Sequence, residues 1–73
     1  MTEEIDARGL RCPLPVLRLR KRLAEAAPGA RVALLADDPV AAIDVPHFCA
    51  EAGHTLEATK AQDDHTRFTV RKG

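Results

Sequence analysis

The chain carries two thiols, Cys12 and Cys49, and only one of them sits in a setting that suggests chemistry. Cys12 lies in Arg11-Cys12-Pro13-Leu14-Pro15, where Pro13 suits the first position of a helix because its missing N–H costs nothing there. With Cys12 as N-cap, its sulfur is expected beside the positive end of the helix dipole and beside Arg11. Both influences favour the thiolate, the form in which a cysteine attacks sulfur, carbon or metal. Pro15 removes the third helical N–H, which leaves those of Leu14 and Val16 as near donors. Two prolines stiffen the turn and hold the sulfur outward. The competing reading is a small buried apolar residue behind helix-start punctuation, since free cysteine is among the most buried residue types.

Cys49 follows Phe48 in a helical pattern and is expected to face inward with Val45 as a structural thiol. A resolving role, or a disulfide to Cys12, needs the two cysteines close together, and sequence leaves that open. His47, Cys49, His54 and Cys12 match no tight zinc spacing and lack a Cys-x-x-Cys knuckle, so no metal is expected. His54, after Gly53, reads as part of a helix stop. Asp37 and Asp38 stand directly before Pro39 and read as caps of a second helix rather than as an acid–base pair.

The elements that position these residues follow from periodicity. Residues 3–8 alternate as a half-buried strand, and Gly9 allows a turn before Cys12. Val16, Leu19, Leu23 and Ala26 recur at helical spacing to about Ala27, where Pro28-Gly29 stops the run. Arg31–Ala36 is nearly all apolar and reads as a central strand. A second helix follows Asp38-Pro39, with Ala42, Val45, Cys49 and Ala52 on one face and its end near Gly53. Pro46 predicts a kink, or a short turn over 39–43 before a helix from about 45. Thr55–Ala61 and Thr66–Arg71 read as a hairpin joined at Gln62-Asp63-Asp64-His65.

The order βαβαββ calls for a two-layer α+β sandwich, both helices on one sheet face by right-handed crossover. Its core should hold Ile5, Leu10, Val16, Leu19, Leu23, Val32, Leu34, Val45, Phe48, Leu56, Phe68 and Val70. Seventy-three residues leave room for one domain, 1–73, and not for a two-domain enzyme. With 45% hydrophobic and 30% charged residues the chain should fold rather than stay disordered. Eleven basic against eleven acidic residues give no net field to draw in nucleic acid or an anionic membrane. The acidic start and short apolar runs lack the marks of a signal peptide or membrane span, so a reducing cytoplasmic setting with free thiols is expected.

Leu10-Arg11-Cys12-Pro13-Leu14-Pro15-Val16-Leu17, the basic residues Arg18 to Arg22, Ala36-Asp37-Asp38-Pro39, Asp44-Val45-Pro46-His47-Phe48-Cys49, Gly53-His54 and Arg71-Lys72-Gly73 together resemble the TusA (SirA-like) sulfur carrier family. The resemblance spans the whole chain. It implies a mixed four-stranded sheet with two helices on one face and the last strand antiparallel inside the sheet, similar to the C-terminal domain of translation initiation factor 3. It also implies a cytoplasmic sulfurtransferase of the carrier kind, without a self-contained cleft or cofactor. Cys12 would be the nucleophile that takes sulfane sulfur as a persulfide, supported by Arg11, Pro13, Leu14 and Pro15. The family's best-known role is relay from a cysteine desulfurase toward 2-thiolation of the tRNA wobble uridine; others serve molybdenum cofactor assembly or sulfur oxidation.

Arg18, Lys21 and Arg22 offer a basic surface on which an acidic donor or acceptor protein could dock, with a solvated helix face as the plainer alternative. Direct RNA binding is disfavoured because the two Phe belong to the expected core and no other aromatic is present to stack on a base. Direct DNA binding is not expected, nor a membrane partner, and nothing demands more than a free monomer. Rival functions remain a regulatory or RNA-binding module built on the basic helix, and a redox protein using both cysteines. A thiocarboxylate tail is not expected, because such tails need Gly-Gly and the given chain closes Arg71-Lys72-Gly73.

Overall fold

The computed structural model describes residues 2–73. Strand β1 (Glu3–Asp6) leaves Glu3, Glu4 and Asp6 exposed and Ile5 packed against the core. It stops two residues short of the expected Arg8. The reason is local: the Asp6 carboxylate accepts the Arg8 N–H at 3.1 Å and its guanidinium at 2.9 Å, which closes a turn ahead of Gly9. Gly9 itself adopts φ 82°, open to glycine at little steric cost.

Helix α1 (Leu14–Glu25) buries Pro15, Leu19 and Leu23 against β2 (Arg31–Ala36). It ends at Glu25, before the predicted Ala27, because Ala26 has turned extended and its N–H bonds Leu23 O at 3.2 Å. Lys72 Nζ then takes the free carbonyl of Ala26 at 2.8 Å. A basic side chain at a helix C-terminus is well placed to do so.

Helix α2 (Ala41–Ala52) begins ahead of Pro46 and continues through it, which overturns the alternative of a short turn followed by a helix from about 45. Pro46 and Ala42, whose carbonyl loses the i→i+4 donor, are both exposed, so solvent can meet the orphaned acceptor. The buried face comprises Ala41, Val45, Phe48 and Cys49, while Ala42 and Ala52, placed there by spacing, are exposed. Gly53 closes the helix at φ 79°, a left-handed cap.

Strands β3 (Thr55–Ala61) and β4 (Thr66–Arg71) form the antiparallel hairpin, with a bulge between Leu56 and Ala58. The sheet order is β1-β2-β4-β3, with β1 parallel to β2 and β4 antiparallel to both β2 and β3. This is the mixed four-stranded α+β sandwich of order βαβαββ, the last strand inside the sheet. Val32, Leu34 and Ala36 join the core, and Ala33 and Leu35 on alternate positions are buried as well. Over that second face Arg67 pairs with Glu4, and Glu57 is held by Arg31 at 2.6 Å and Arg71 at 3.0 Å. The charged lattice shields β2, which explains its unbroken apolar run.

All twelve residues assigned to the core from sequence lie in it or pack on it: Ile5, Leu10, Val16 and Leu56 are half-buried, the other eight fully buried. Ala7, Ala36, Ala41 and Cys49 complete the cluster. Among the described residues no helix is long and apolar enough to cross a membrane.

Candidate functional site

Three stretches of chain meet at Cys12. The turn after β1 delivers it, the loop before α2 holds it, and the first turn of α2 touches its sulfur. Cys12 is exposed, as a reacting thiol must be. The Cys12–Pro13 peptide bond is cis. The cap of α1 is Pro13, and Leu14 is its first residue, one position later than the expected start at Pro13 behind a Cys12 cap. Leu14 N–H donates to Arg11 O at 2.9 Å and Pro15 has no N–H, so neither is available to the sulfur. The positive helix end therefore offers Cys12 less than its sequence position promised.

Asp37 and Asp38 do more than introduce α2. The carboxylate of Asp37 accepts the Gly9 N–H, both oxygens at 3.0 Å, and stands 3.6 Å from the Arg11 guanidinium. Asp38, only 8% exposed, accepts the Cys12 N–H at 2.6 Å on one oxygen and the Val40 N–H at 3.1 Å on the other. The N-cap position of α2 is Val40, which makes no side-chain cap bond. The two aspartates thus clamp the Cys12 turn to the start of α2. These donors also hold the Asp38 carboxyl below its ordinary range, the Cys12 N–H contributing most.

The sulfur faces a third carboxylate. Cys12 Sγ–H donates to Asp44 Oδ2 at 3.0 Å. That hydrogen bond, then partial desolvation and the negative charges of Asp44 and Asp38, push the thiol up from its ordinary value. Sequence reasoning expected the opposite, a thiolate favoured by Arg11 and the helix dipole. Arg11 is turned to Asp37 instead, and the charges nearest the sulfur are acidic. Asp44, in Asp44-Val45-Pro46-His47-Phe48-Cys49, has no role that sequence alone assigns. Its position in the first turn of a helix that begins beside Asp38 was the available signal.

Leu14, Leu17, Val40 and Ile43 are the large apolar side chains left exposed among the described residues, Ile43 at 72%. All four belong to the opening turns of α1 and α2 or to the cap of α2, the two helix starts that converge on Cys12. Arg18, Lys21 and Arg22 line a separate shallow groove with Glu3, Glu4, Ile5 and Glu25. Arg22 is bound to Glu3 and, at 2.7 Å, to Glu25, whereas Arg18 and Lys21 have no ion-pair partner among the described residues.

Cys49 is buried, and burial pushes its thiol up. His54 Nδ1 accepts the Gly73 N–H at 3.1 Å, the His54 backbone N–H donates to Cys49 O at 2.9 Å, and the imidazole ring tilts against Phe48 with centroids 5.6 Å apart. His54 is thus part of the helix stop. His47 lies one turn from Glu51 at 3.2 Å on the exposed side. Among the described residues no three His, Cys, Asp or Glu side chains gather to hold a metal.

A two-layer α+β domain that presents a clamped, exposed cysteine at a helix start is the class defined by this fold and site. Residues 3–72 match the family model described as Sulfurtransferase TusA. The fold superposes on a SirA-like protein from Desulfitobacterium hafniense with a TM-score of 0.85 at 30% identity, covering 100% of this chain and 99% of that one. The chain belongs to the TusA family of sulfur carriers and sulfurtransferases.

Proposed function

We propose that this protein is a sulfur relay that takes sulfane sulfur onto Cys12 as a persulfide and hands it to an acceptor. The observation that carries this reading is the exposed Cys12, held by Asp38 at the meeting of two helix starts, in a chain of the TusA family. In loading, the Cys12 thiolate attacks the outer sulfur of a donor persulfide. The donor's S–S bond breaks and its electron pair leaves on the donor thiolate, so sulfur moves with no net oxidation. In unloading, an acceptor thiolate attacks the outer sulfur on Cys12 and Cys12 leaves as thiolate. Exposure and a fixed backbone serve both steps, because both partners must reach the same atom.

A cysteine desulfurase is the donor this reading assigns, in a reducing cytoplasm, and 2-thiolation of the tRNA wobble uridine is the outlet it favours. Leu14, Leu17, Val40 and Ile43 supply an apolar rim for the docked partner, and Arg18 and Lys21 a basic flank farther along α1. Burial of Cys49 weighs against a redox pair with Cys12.

Intact-mass spectrometry after incubation with a cysteine desulfurase and cysteine tests the reading. Wild type should gain one sulfur atom that a reductant removes, and Cys12→Ser should gain none. An equal gain in Cys12→Ser, or none in wild type with a donor shown to be active, would overturn it.

A further inference from the structure

We propose that Asp44 is a positioning residue for Cys12, its carboxylate holding the S–H in a hydrogen bond that keeps the sulfur a neutral thiol in the free protein. The inference rests on Cys12 being the reacting sulfur, but it concerns the reactivity of that atom rather than the identity of what it carries.

The geometry is direct. Asp44 sits in the first turn of α2, half-buried, with Oδ2 3.0 Å from Cys12 Sγ. Three other charged groups belong to the site, and each has other work. Asp38 holds the backbone N–H groups of Cys12 and Val40, Asp37 holds Gly9 N–H, and Arg11 lies against Asp37. No cation among the described residues forms an ion pair with Asp44 to neutralise it. A carboxylate accepts a hydrogen bond from S–H but repels S⁻, so its presence at contact distance favours the thiol. The upward push on the Cys12 thiol has this hydrogen bond as its largest cause.

The chemical consequence is a carrier whose sulfur is exposed yet slow toward stray electrophiles. Thiolates, not thiols, are alkylated and oxidised, so an exposed cysteine held as thiol escapes much of that damage. Loading then requires the proton to leave Cys12 as its sulfur attacks: the Asp44 carboxylate, already bonded to the S–H, can take it to free the attacking thiolate, and the donor thiolate released as the S–S bond breaks is the base on which it ends.

The test is the rate of Cys12 alkylation by iodoacetamide as a function of pH, located by peptide mass spectrometry, in wild type, Asp44→Asn and Asp44→Ala. Circular dichroism selects the variants that remain folded, and the two substitutions guard against the loss of either. Loss of the carboxylate raises the thiolate fraction at neutral pH but lowers the nucleophilicity of each thiolate. A tenfold gain in the first is offset about threefold by the second. The expected result is alkylation roughly threefold faster near pH 7 and slower than wild type once both thiols are fully ionised. That crossing separates a change in ionisation from a mere opening of the loop, which would speed alkylation at every pH. Superimposed profiles, or a uniform change without crossing, would sink the proposal. Neither result bears on whether Cys12 carries sulfur, which the mass measurement reads independently.

Discussion

The backbone N–H of Cys12 donates to Asp38 Oδ2 at 2.6 Å, a bond that spans 26 residues of sequence. Asp38 thereby connects the loop that carries the reactive sulfur to the helix that carries Asp44. A charge-assisted bond to a nearly buried carboxylate is stronger than a neutral one, and losing the acceptor leaves two backbone donors short.

Asp38→Ala should therefore lower the melting temperature by on the order of 10 °C in a domain of this size. The Cys12 amide should also exchange with solvent as fast as an unrestrained loop. Asp38→Asn, which keeps one acceptor oxygen, should fall between. Thermal unfolding followed by circular dichroism, with hydrogen exchange at the Cys12 amide, checks both, and an Asp38→Ala variant as stable as wild type would refute the clamp.

Acid should loosen the same connection. The folded carboxyl of Asp38 lies below its ordinary range, so its contribution to stability is present above the unfolded value, about 3.9, and is lost as pH falls through the folded one. Asp6, bonded by Arg8, is held at about 2 and follows the same sign, although its exposure makes its contribution small. The urea midpoint should decline below roughly pH 4, and decline less steeply in Asp38→Asn. Parallel declines would show that other carboxylates govern the acid limb.

The two thiols should be separable by rate. Cys49 is 2% exposed in the core, and Cys12 is exposed. A disulfide reagent applied to native protein should titrate one thiol, and two after denaturation, with the slow thiol located at Cys49 by peptide mass. Two thiols of equal rate in the folded state would contradict the burial.

The apolar rim can be tested apart from stability. Ile43 and Leu17 are exposed, so Ile43→Lys and Leu17→Lys should leave the melting temperature nearly unchanged. If the rim seats the donor, sulfur loading should slow by about tenfold in each, as expected for loss of one interface anchor. Unaltered loading would place the donor elsewhere.

Much of this architecture was legible because local signals and global packing agree. The alternation around Ile5, the helical spacing of Leu19 and Leu23, the apolar run Arg31–Ala36 and the two closing strands each placed an element correctly. The errors lie where a side-chain bond, near or far in sequence, overrides the periodic pattern. Asp6 ended β1 by bonding Arg8 two residues on, and Asp38 crossed the fold to hold Cys12, while α2 began ahead of Pro46 rather than behind it. The sign of the effect on Cys12 failed for the same reason: helix polarity and Arg11 are near in sequence, but Asp44, 32 residues away, is near in space. Periodicity reports which face is buried; it does not report which carboxylate crosses to meet a sulfur.

The position of β4 between β2 and β3 shapes how the molecule can assemble. The parallel pair of β1 and β2, bridged by α1, is contiguous and can form early, but one edge of β2 keeps its hydrogen-bonding groups open until the last strand arrives. On a ribosome, a nascent chain that has emerged only through β3 would hold Val32, Leu34 and their neighbours at an unpaired edge, without Phe68 and Val70 to cover them. Closure of the sheet is then a late, long-range event, the kind that slows folding and exposes sticky intermediates. Synthesis of the final hairpin, rather than of the cysteine turn near the start, is the step that commits this chain to its native state.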